Sequence, residues 1–399
     1  MKILHTGDLH LGRAFNGISL EQDHEAILHQ IVQVLIDRAV DVLIIAGDIF
    51  DRAAPPASAI RQFNGFLSRV SKETAAALVM IAGNHDSGDR VATMAVLSDG
   101  TRALVRGVAT TEDPPLVLKD EHGPVAFSAL PFAHEYTARE CFGDETIASP
   151  ADVLAAQVAA ARQVLPQTLA PPKALPKALP PGDATPGIRW VITAHAFVAG
   201  GQSSEGERSL ARVGGIETVP SEVFDGAHYV ALGHLHRPQR AGADHIRYAG
   251  APLAFGFDEA GSPKSMTLVT LDGDGATTIE TIPFIPARGI RILKGRHAEV
   301  LLAPPSEDFI KVVLTDPHPM IDPMKPLRER FPNVCMLTYE REERILEPRE
   351  RTVQTLAGMD PLDVIGDFLE QVRGEPATEA ERQVLAETLQ TLADGEDAA

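Results

Sequence analysis

Residues 1–10 read Met1-Lys2-Ile3-Leu4-His5-Thr6-Gly7-Asp8-Leu9-His10. An apolar stretch closes on Asp-x-His. Side chains at i and i+2 of an extended segment point the same way. Asp8 and His10 can therefore converge on one point, as a carboxylate oxygen and an imidazole nitrogen. His5 has the opposite parity in the strand and reads as core. This is half a metal site, and its other half must come from elsewhere in the chain.

The pattern recurs outward from this stretch. A helix is predicted over 20–39, with Ile27, Ile31, Val34 and Leu35 on one stripe. The run Asp41 to Asp48 reads as a strand buried on both faces. It ends in Gly47-Asp48, followed by Ile49-Phe50-Asp51-Arg52. A helix over 57–72 leads to a third apolar strand, which ends in Gly83-Asn84-His85-Asp86. Strand, helix, strand, helix, strand is the α/β pattern. Two later strands repeat the ending: Trp190–Ala194 before His195, and Tyr229–Leu232 before Gly233-His234-Leu235-His236. Asp86 is expected to hold a turn.

Between these motifs the reading predicts a helix over 90–98, strands at 116–118 and 125–128, and a helix over 152–165. The Pro/Ala-rich stretch 165–187 cannot hold a helix or a central strand and reads as an exposed semi-rigid loop. A hairpin is expected at 265–282, around Asp272-Gly273-Asp274-Gly275. The first domain is placed at 1–283. A small α/β domain follows at 284–340, from strands at 289–294, 309–314 and 333–339 with helices at 296–302 and 322–330. Residues 341–359 read as a charged linker and 360–393 as two amphipathic helices. Thr378 and Glu381 form a capping-box signature in the second of these. Residues 394–399 are an acidic tail.

Five strand ends thus carry Asp8/His10, Asp48, Asn84/His85, His195 and His234/His236. In open α/β sheets the site lies beyond the carboxyl ends of the strands. Oxygen plus imidazole, without thiolate, suits a Mn²⁺- or Fe-type centre and tolerates Zn²⁺. The donors exceed the four of a mononuclear tetrahedral site, and two ions bridged by one carboxylate use them economically.

These motifs resemble the five of the calcineurin-like metallophosphoesterases. Met1–Gly12, Ala194–Gly201 and Tyr229–Gln239 are similar to the SbcD/Mre11 nuclease family, most closely its bacterial branch. The fourth motif departs slightly, with Ala194 where Gly is usual before His195. The resemblance implies an α/β fold: a metallophosphoesterase β-sandwich flanked by helices, with a small α/β capping domain and a C-terminal helical pair. It implies two divalent metal ions, most commonly Mn²⁺. One would take Asp8, His10, Asp48 and His236, the other Asp48, Asn84, His195 and His234, with Asp48 bridging. His85 would protonate the leaving oxygen, and Asp51 would orient His85. Arg13, Arg52 and Arg237 border the motifs and are candidate phosphate contacts. The implied activity is 3′–5′ exonuclease on double-stranded DNA and endonuclease on single strands and hairpins. The implied partner is an SMC-like ATPase, SbcC, gripped by the C-terminal helices, with a nuclease homodimer inside a heterotetramer.

Composition bounds these readings. With 36 basic and 55 acidic residues the net charge is −19, which argues against tight unaided nucleic-acid binding. Metal ions or a partner can supply the missing positive charge. Cys141 and Cys335 lie in no metal-spacing motif, so a reducing compartment is expected. No leader and no membrane span are legible, and the expectation is a soluble, cytoplasmic, nucleoid-associated protein. Two rival readings use the same residues. A metallophosphoesterase of nucleotides or phosphoproteins would leave the small domain and helical tail without a purpose. A non-catalytic scaffold for an SMC-like ATPase requires a broken metal site, and no motif ligand is missing.

Overall fold

The computed structural model describes residues 1–95, 102–112, 114–165, 187–207, 211, 212, 215, 216, 218–341, 362–366, 369 and 376–396. Two compact units emerge, Met1–Ile290 and Arg291–Ala399. The predicted Pro/Ala loop and charged linker fall almost wholly outside the described residues.

The first unit is built on two six-stranded sheets. One runs Thr277–Pro283, Ser265–Leu271, Lys2–Thr6, Val42–Ala46, Ala77–Ile81, Ala103–Arg106. The other runs Gln239–Ala241, Ala243–Tyr248, Tyr229–Gly233, Arg189–His195, Gly123–Leu130, Leu116–Asp120. Each has four parallel strands, and the remaining strands pair antiparallel at the edges. Parallel strands need both faces covered, which is why Val42–Ala46 is apolar throughout and wholly buried.

Period-2 alternation divides each strand between two cores. Ile3, Val42, Ile44, Val79, Val191, Tyr229, Ala231 and Val269 fill the space between the sheets. Trp190, Ile192, Val230 and Leu232 point the other way, onto Leu154, Val158 and Ala161 of the helix Pro150–Gln163. Ser149 caps that helix in a capping box with Asp152. On the first sheet, the crossovers are the helices Glu21–Asp37, burying Ile27, Ile31 and Leu35, and Ala57–Glu73, burying Phe63, Phe66 and Val70. The sandwich flanked by helices agrees with the expected fold class.

Arg189 clips the end of the sandwich where its strand begins. It is fully buried, and its guanidinium donates to Asp120 Oδ2 (3.0 Å), Gly123 O (2.8 Å) and Asp272 O (3.0 Å). Those acceptors belong to both sheets' connections. Burial opposes charge on Asp120, but Arg189, the Met1 ammonium at 3.0 Å and the His122 amide together outweigh it and hold the carboxyl well below the usual carboxylate range. His5 shares a 2.9 Å hydrogen bond with Tyr229 Oη between the sheets, as its parity predicts.

The first unit extends beyond the expected boundary at 283. Phe284 is buried, Ile285 N donates to Gln30 Oε1 (2.9 Å), and Arg288 pairs with Asp23. These contacts strap 284–288 to the helix Glu21–Asp37.

The second unit holds a three-stranded sheet, in the order Ile290–Gly295, Phe309–Leu314, Val334–Tyr339. With the helices His297–Val300 and Met324–Arg330 it encloses Val300, Ile310, Val312, Leu314, Leu327 and Phe331. These elements lie within a few residues of the predicted ones. In the tail, 362–366 is helical and Glu379–Glu396 is a helix. Its capping box is formed: Thr378 N donates to Glu381 Oε2 (2.8 Å) and Glu381 N to Thr378 Oγ1 (3.4 Å). Among the described residues no helix is long and apolar enough to cross a membrane.

Candidate metal centre

Parallel strands finish at one edge of a sheet, so the polar strand ends of each sheet are delivered together. The first sheet contributes Asp8, His10, Asp48, Asn84 and His85. The second contributes His195, His234 and His236. All but Asn84 are buried.

Backbone bonds join the loops into one scaffold. Asp8 N donates to Gly47 O and His10 N to Asp48 O, each at 3.0 Å. The Asp86 carboxylate accepts from Gly83 N (2.9 Å), Ile49 N (3.0 Å) and Phe50 N (2.9 Å). It thereby ties the loop carrying Asp48 to the loop carrying Asn84 and His85, the turn-holding role expected of it. Burial, then the charge of Asp48, pushes this carboxyl up to about 7.

Four of these residues sit in left-handed or nearby positive-φ backbone: Asp8 (φ 51°), His10 (φ 46°), Asp48 (φ 47°) and His234 (φ 106°). Such conformations are uncommon outside glycine and cluster at functional sites. Gly47 has φ 88°, and a Cβ there would strike the His195 ring. The glycine before Asp48 is thus required by conformation and by space.

Second bonds aim the ligand atoms. His195 Nδ1 donates to Ala46 O at 2.9 Å, which turns Nε2 toward the site. Asp8 Oδ1 accepts from His234 N and Asp48 Oδ1 from His85 N, both at 2.9 Å. The other carboxylate oxygens face inward. Asp48 Oδ2 lies 3.7 Å from His10 Nε2 and 3.5 Å from His195 Nε2, between the two candidate groups. His10 Nε2 and His236 Nε2 are 3.1 Å apart. Asn84 Oδ1 is 2.9 Å from His195 Nε2 and 3.1 Å from His234 Nδ1.

This donor set fits cations. Ligand atoms about 2.1 Å from one ion at right angles to each other stand about 3 Å apart, as these do. Asp8, His10 and His236 bring ligand atoms within 4.8 Å of one another, and so do Asp8, Asp48 and His195. Asp8 Oδ2 is buried with no protein hydrogen-bond partner among the described residues, a costly state that a cation relieves. Burial, followed by the Asp48 charge, raises the Asp8 carboxyl well above its usual range. Burial pushes His195 down to about 4 and His234 to about 3, and holds His10 and His236 well below the usual value. Neutral imidazole is the ligating form.

His85 stands beside the cluster, its ring 4.7 Å from that of His10 and perpendicular to it. Asp51 reaches it through the main chain: His85 Nδ1 donates to Asp51 O at 2.8 Å. The Asp51 carboxylate instead faces His10 Nδ1 (3.7 Å) and Arg13 Nη1 (3.5 Å). Arg13 also donates to Gly206 O (3.0 Å) and lies over the Phe255 ring at 4.4 Å. Arg237 pairs with Asp258 at 3.4 Å, and Arg52 is exposed.

One acidic residue at the centre was not singled out from sequence. Glu207 Oε1 accepts from His236 N at 2.6 Å, and Ser204 caps the same carboxylate. The Ser-x-x-Glu spacing is a local signal for that turn; only the fold links it to His236. Lys264 is likewise buried, paired with Glu259 and donating to His236 O at 3.0 Å.

A sandwich with a histidine- and carboxylate-rich edge defines a metal-dependent hydrolase, and comparison with known families agrees. Residues 1–238 match the calcineurin-like phosphoesterase family, more than half of the chain, and the chain belongs to that family. Residues 286–373 match the Type 5 capsule protein repressor C-terminal domain, SbcD_C. The two matches together are consistent with SbcD, an Mre11-like nuclease.

Proposed function

We propose that this chain is the nuclease subunit of an SbcCD-type complex, a Mn²⁺-dependent phosphodiesterase. It trims double-stranded DNA ends 3′ to 5′ and cuts single strands and hairpins. The observation that carries the reading is the eight-residue centre at the edge of a phosphoesterase sandwich, on a chain that also carries the SbcD_C domain.

Asp8, His10, Asp48 and His236 would hold one cation and Asp48, Asn84, His195 and His234 the other. Bound there, the pair would supply Lewis-acid charge to the phosphoryl group and lower the pKa of the attacking water. Asp48 keeps Oδ2 for the cations while Oδ1 fixes the His85 backbone. His85 has Nδ1 committed to Asp51 O. The proton it gives to the leaving 3′ oxygen would therefore leave from Nε2. Asp51, through its carboxylate, and Glu207, through the His236 backbone, act as positioning residues. Arg52, exposed, and Arg237, half-buried and paired with Asp258, are the candidates for phosphate contact. The C-terminal helices would dock on an SMC-like ATPase, and helices of the first hundred residues would pair two nuclease subunits. The site of action is the cytoplasmic nucleoid.

A Mn²⁺-dependent assay on end-labelled hairpin DNA, with and without the partner ATPase, tests this. Asp48→Ala and His85→Ala are expected to lose cleavage, His85→Ala by about 10²–10⁴-fold. Full activity in both variants refutes the site. Brisk hydrolysis of a phosphomonoester with no DNA cleavage favours a nucleotide or phosphoprotein phosphatase instead.

A further inference from the structure

We propose that Phe132, His134 and Tyr136 form a stacking platform for an unpaired nucleobase beside the metal centre. The proposal rests on the DNA reading above and names the part of the substrate gripped on this side.

The strand Gly123–Leu130 runs parallel to Arg189–His195, with Leu130 opposite Ala194, so it ends at the same edge. The adjacent parallel strand ends there in His195, and the next, Tyr229–Gly233, in His234 and His236. This strand ends in Pro131-Phe132-Ala133-His134-Glu135-Tyr136. The segment is pinned across the edge: Phe132 N donates to Ala82 O at 3.0 Å, two residues before Asn84. From Phe132 a row of rings leads away from the centre. Phe132 meets His195 edge-on at 6.4 Å and His134 edge-on at 5.0 Å. His134 stacks on Tyr136 at 5.4 Å with 12° between the planes. Glu135 turns inward and is buried, while Tyr136 is 68% exposed.

A large aromatic ring left this exposed, already stacked on its inner face, has one face open. Nucleobases stack on such faces, with about 1–3 kcal/mol per base and little sequence preference. A base inside a duplex has both faces covered by its neighbours, so the fitting ligand is a base without a stacked partner, at a frayed end or in a single strand. Stacking also suits a protein of net charge −19, which has little excess cation for gripping phosphates. Arg139, on the following helix, is committed to Ile147 O at 2.6 Å.

The test uses the full chain in chelator, so that nothing is cleaved, and a single-stranded oligonucleotide carrying 2-aminopurine, which is quenched on stacking. Wild type is expected to quench the probe, and Tyr136→Ala to weaken binding by about five- to a hundredfold. Tyr136→Phe retains the ring and should quench as wild type does. His134→Ala, which removes the ring beneath, should weaken quenching as well, and thermal melts of both alanine variants confirm folding. Quenching by both at wild-type affinity overturns the platform while leaving DNA cleavage in manganese intact. A wild-type chain that neither quenches the probe nor cleaves DNA overturns both readings.

Discussion

Replacing Asp86 with alanine removes one carboxylate that receives three main-chain N–H groups from two loops. Those donors, Gly83, Ile49 and Phe50, bond it at 2.9–3.0 Å. Each buried donor left without a partner costs about 1–3 kcal/mol. The three costs overlap, because one void serves all of them, so the loss should be about 3–5 kcal/mol. With a urea slope of about 3 kcal/mol/M, the unfolding midpoint falls by about 1 M or more. Asp244→Ala is the control. Asp244 is exposed and paired with Arg240 four residues away, and solvent screens such pairs so that they add little stability. Urea unfolding in chelator, followed by circular dichroism, reads both variants. Calorimetric titration with Mn²⁺ should show Asp86→Ala binding about 10–100-fold more weakly, because it loosens the loops behind the ligands. An Asp86→Ala midpoint equal to that of Asp244→Ala would refute the claim that this carboxylate holds the two loops together.

Chelator should lower the melting temperature, and Mn²⁺ at a hundred times its Kd should restore about 2.7 kcal/mol; Asp8→Asn should lose that response. Burial holds His5 down at about 3 and His24 at about 4, below the 6.5 of the unfolded chain. Folded protein therefore binds fewer protons there, so stability is full above about pH 6.5 and falls as the pH drops toward those values. His5→Asn should flatten the pH dependence of the urea midpoint. Arg189→Met should cost about 3 kcal/mol by removing the buried partner of Asp120 and the donor to Gly123 O and Asp272 O, although the N-terminal ammonium of Met1 still lies 3.0 Å from Asp120. The depressed Asp120 carboxyl contributes stability above its unfolded value near 4, lost as the pH falls below it, and the variant's melts should show a smaller acid limb, the remainder coming from the Met1 ammonium and the His122 amide.

The legible parts of this molecule were those written in local pattern. Val42–Ala46 and Ala77–Ile81 declare themselves by unbroken apolar runs, and Thr378 with Glu381 by spacing alone. The strand ends carrying Asp8, Asp48, His195 and His234 were readable because one chemistry recurs at one structural position. Pairing between distant segments was not readable. Nothing local says that Ser265–Leu271 lies antiparallel beside Lys2–Thr6, nor that Glu207 receives the His236 amide across 29 residues of chain. Asp51 is expected to orient His85, and the atom that meets His85 Nδ1 is its main-chain oxygen. Residue type does not report which atom of a residue a fold will use.

The backbone at Asp8, His10, Asp48 and His234 takes shapes that a free chain visits rarely. Those residues come from both sheets, so neither sheet can impose all four shapes alone. Metal uptake is then expected at the end of folding, when the two sheets have closed on Ile3, Val191 and Tyr229. A chain half-assembled carries the same eight side chains but has no reason to hold them together. Loss of bound metal should therefore be the earliest sign that the sandwich has begun to open.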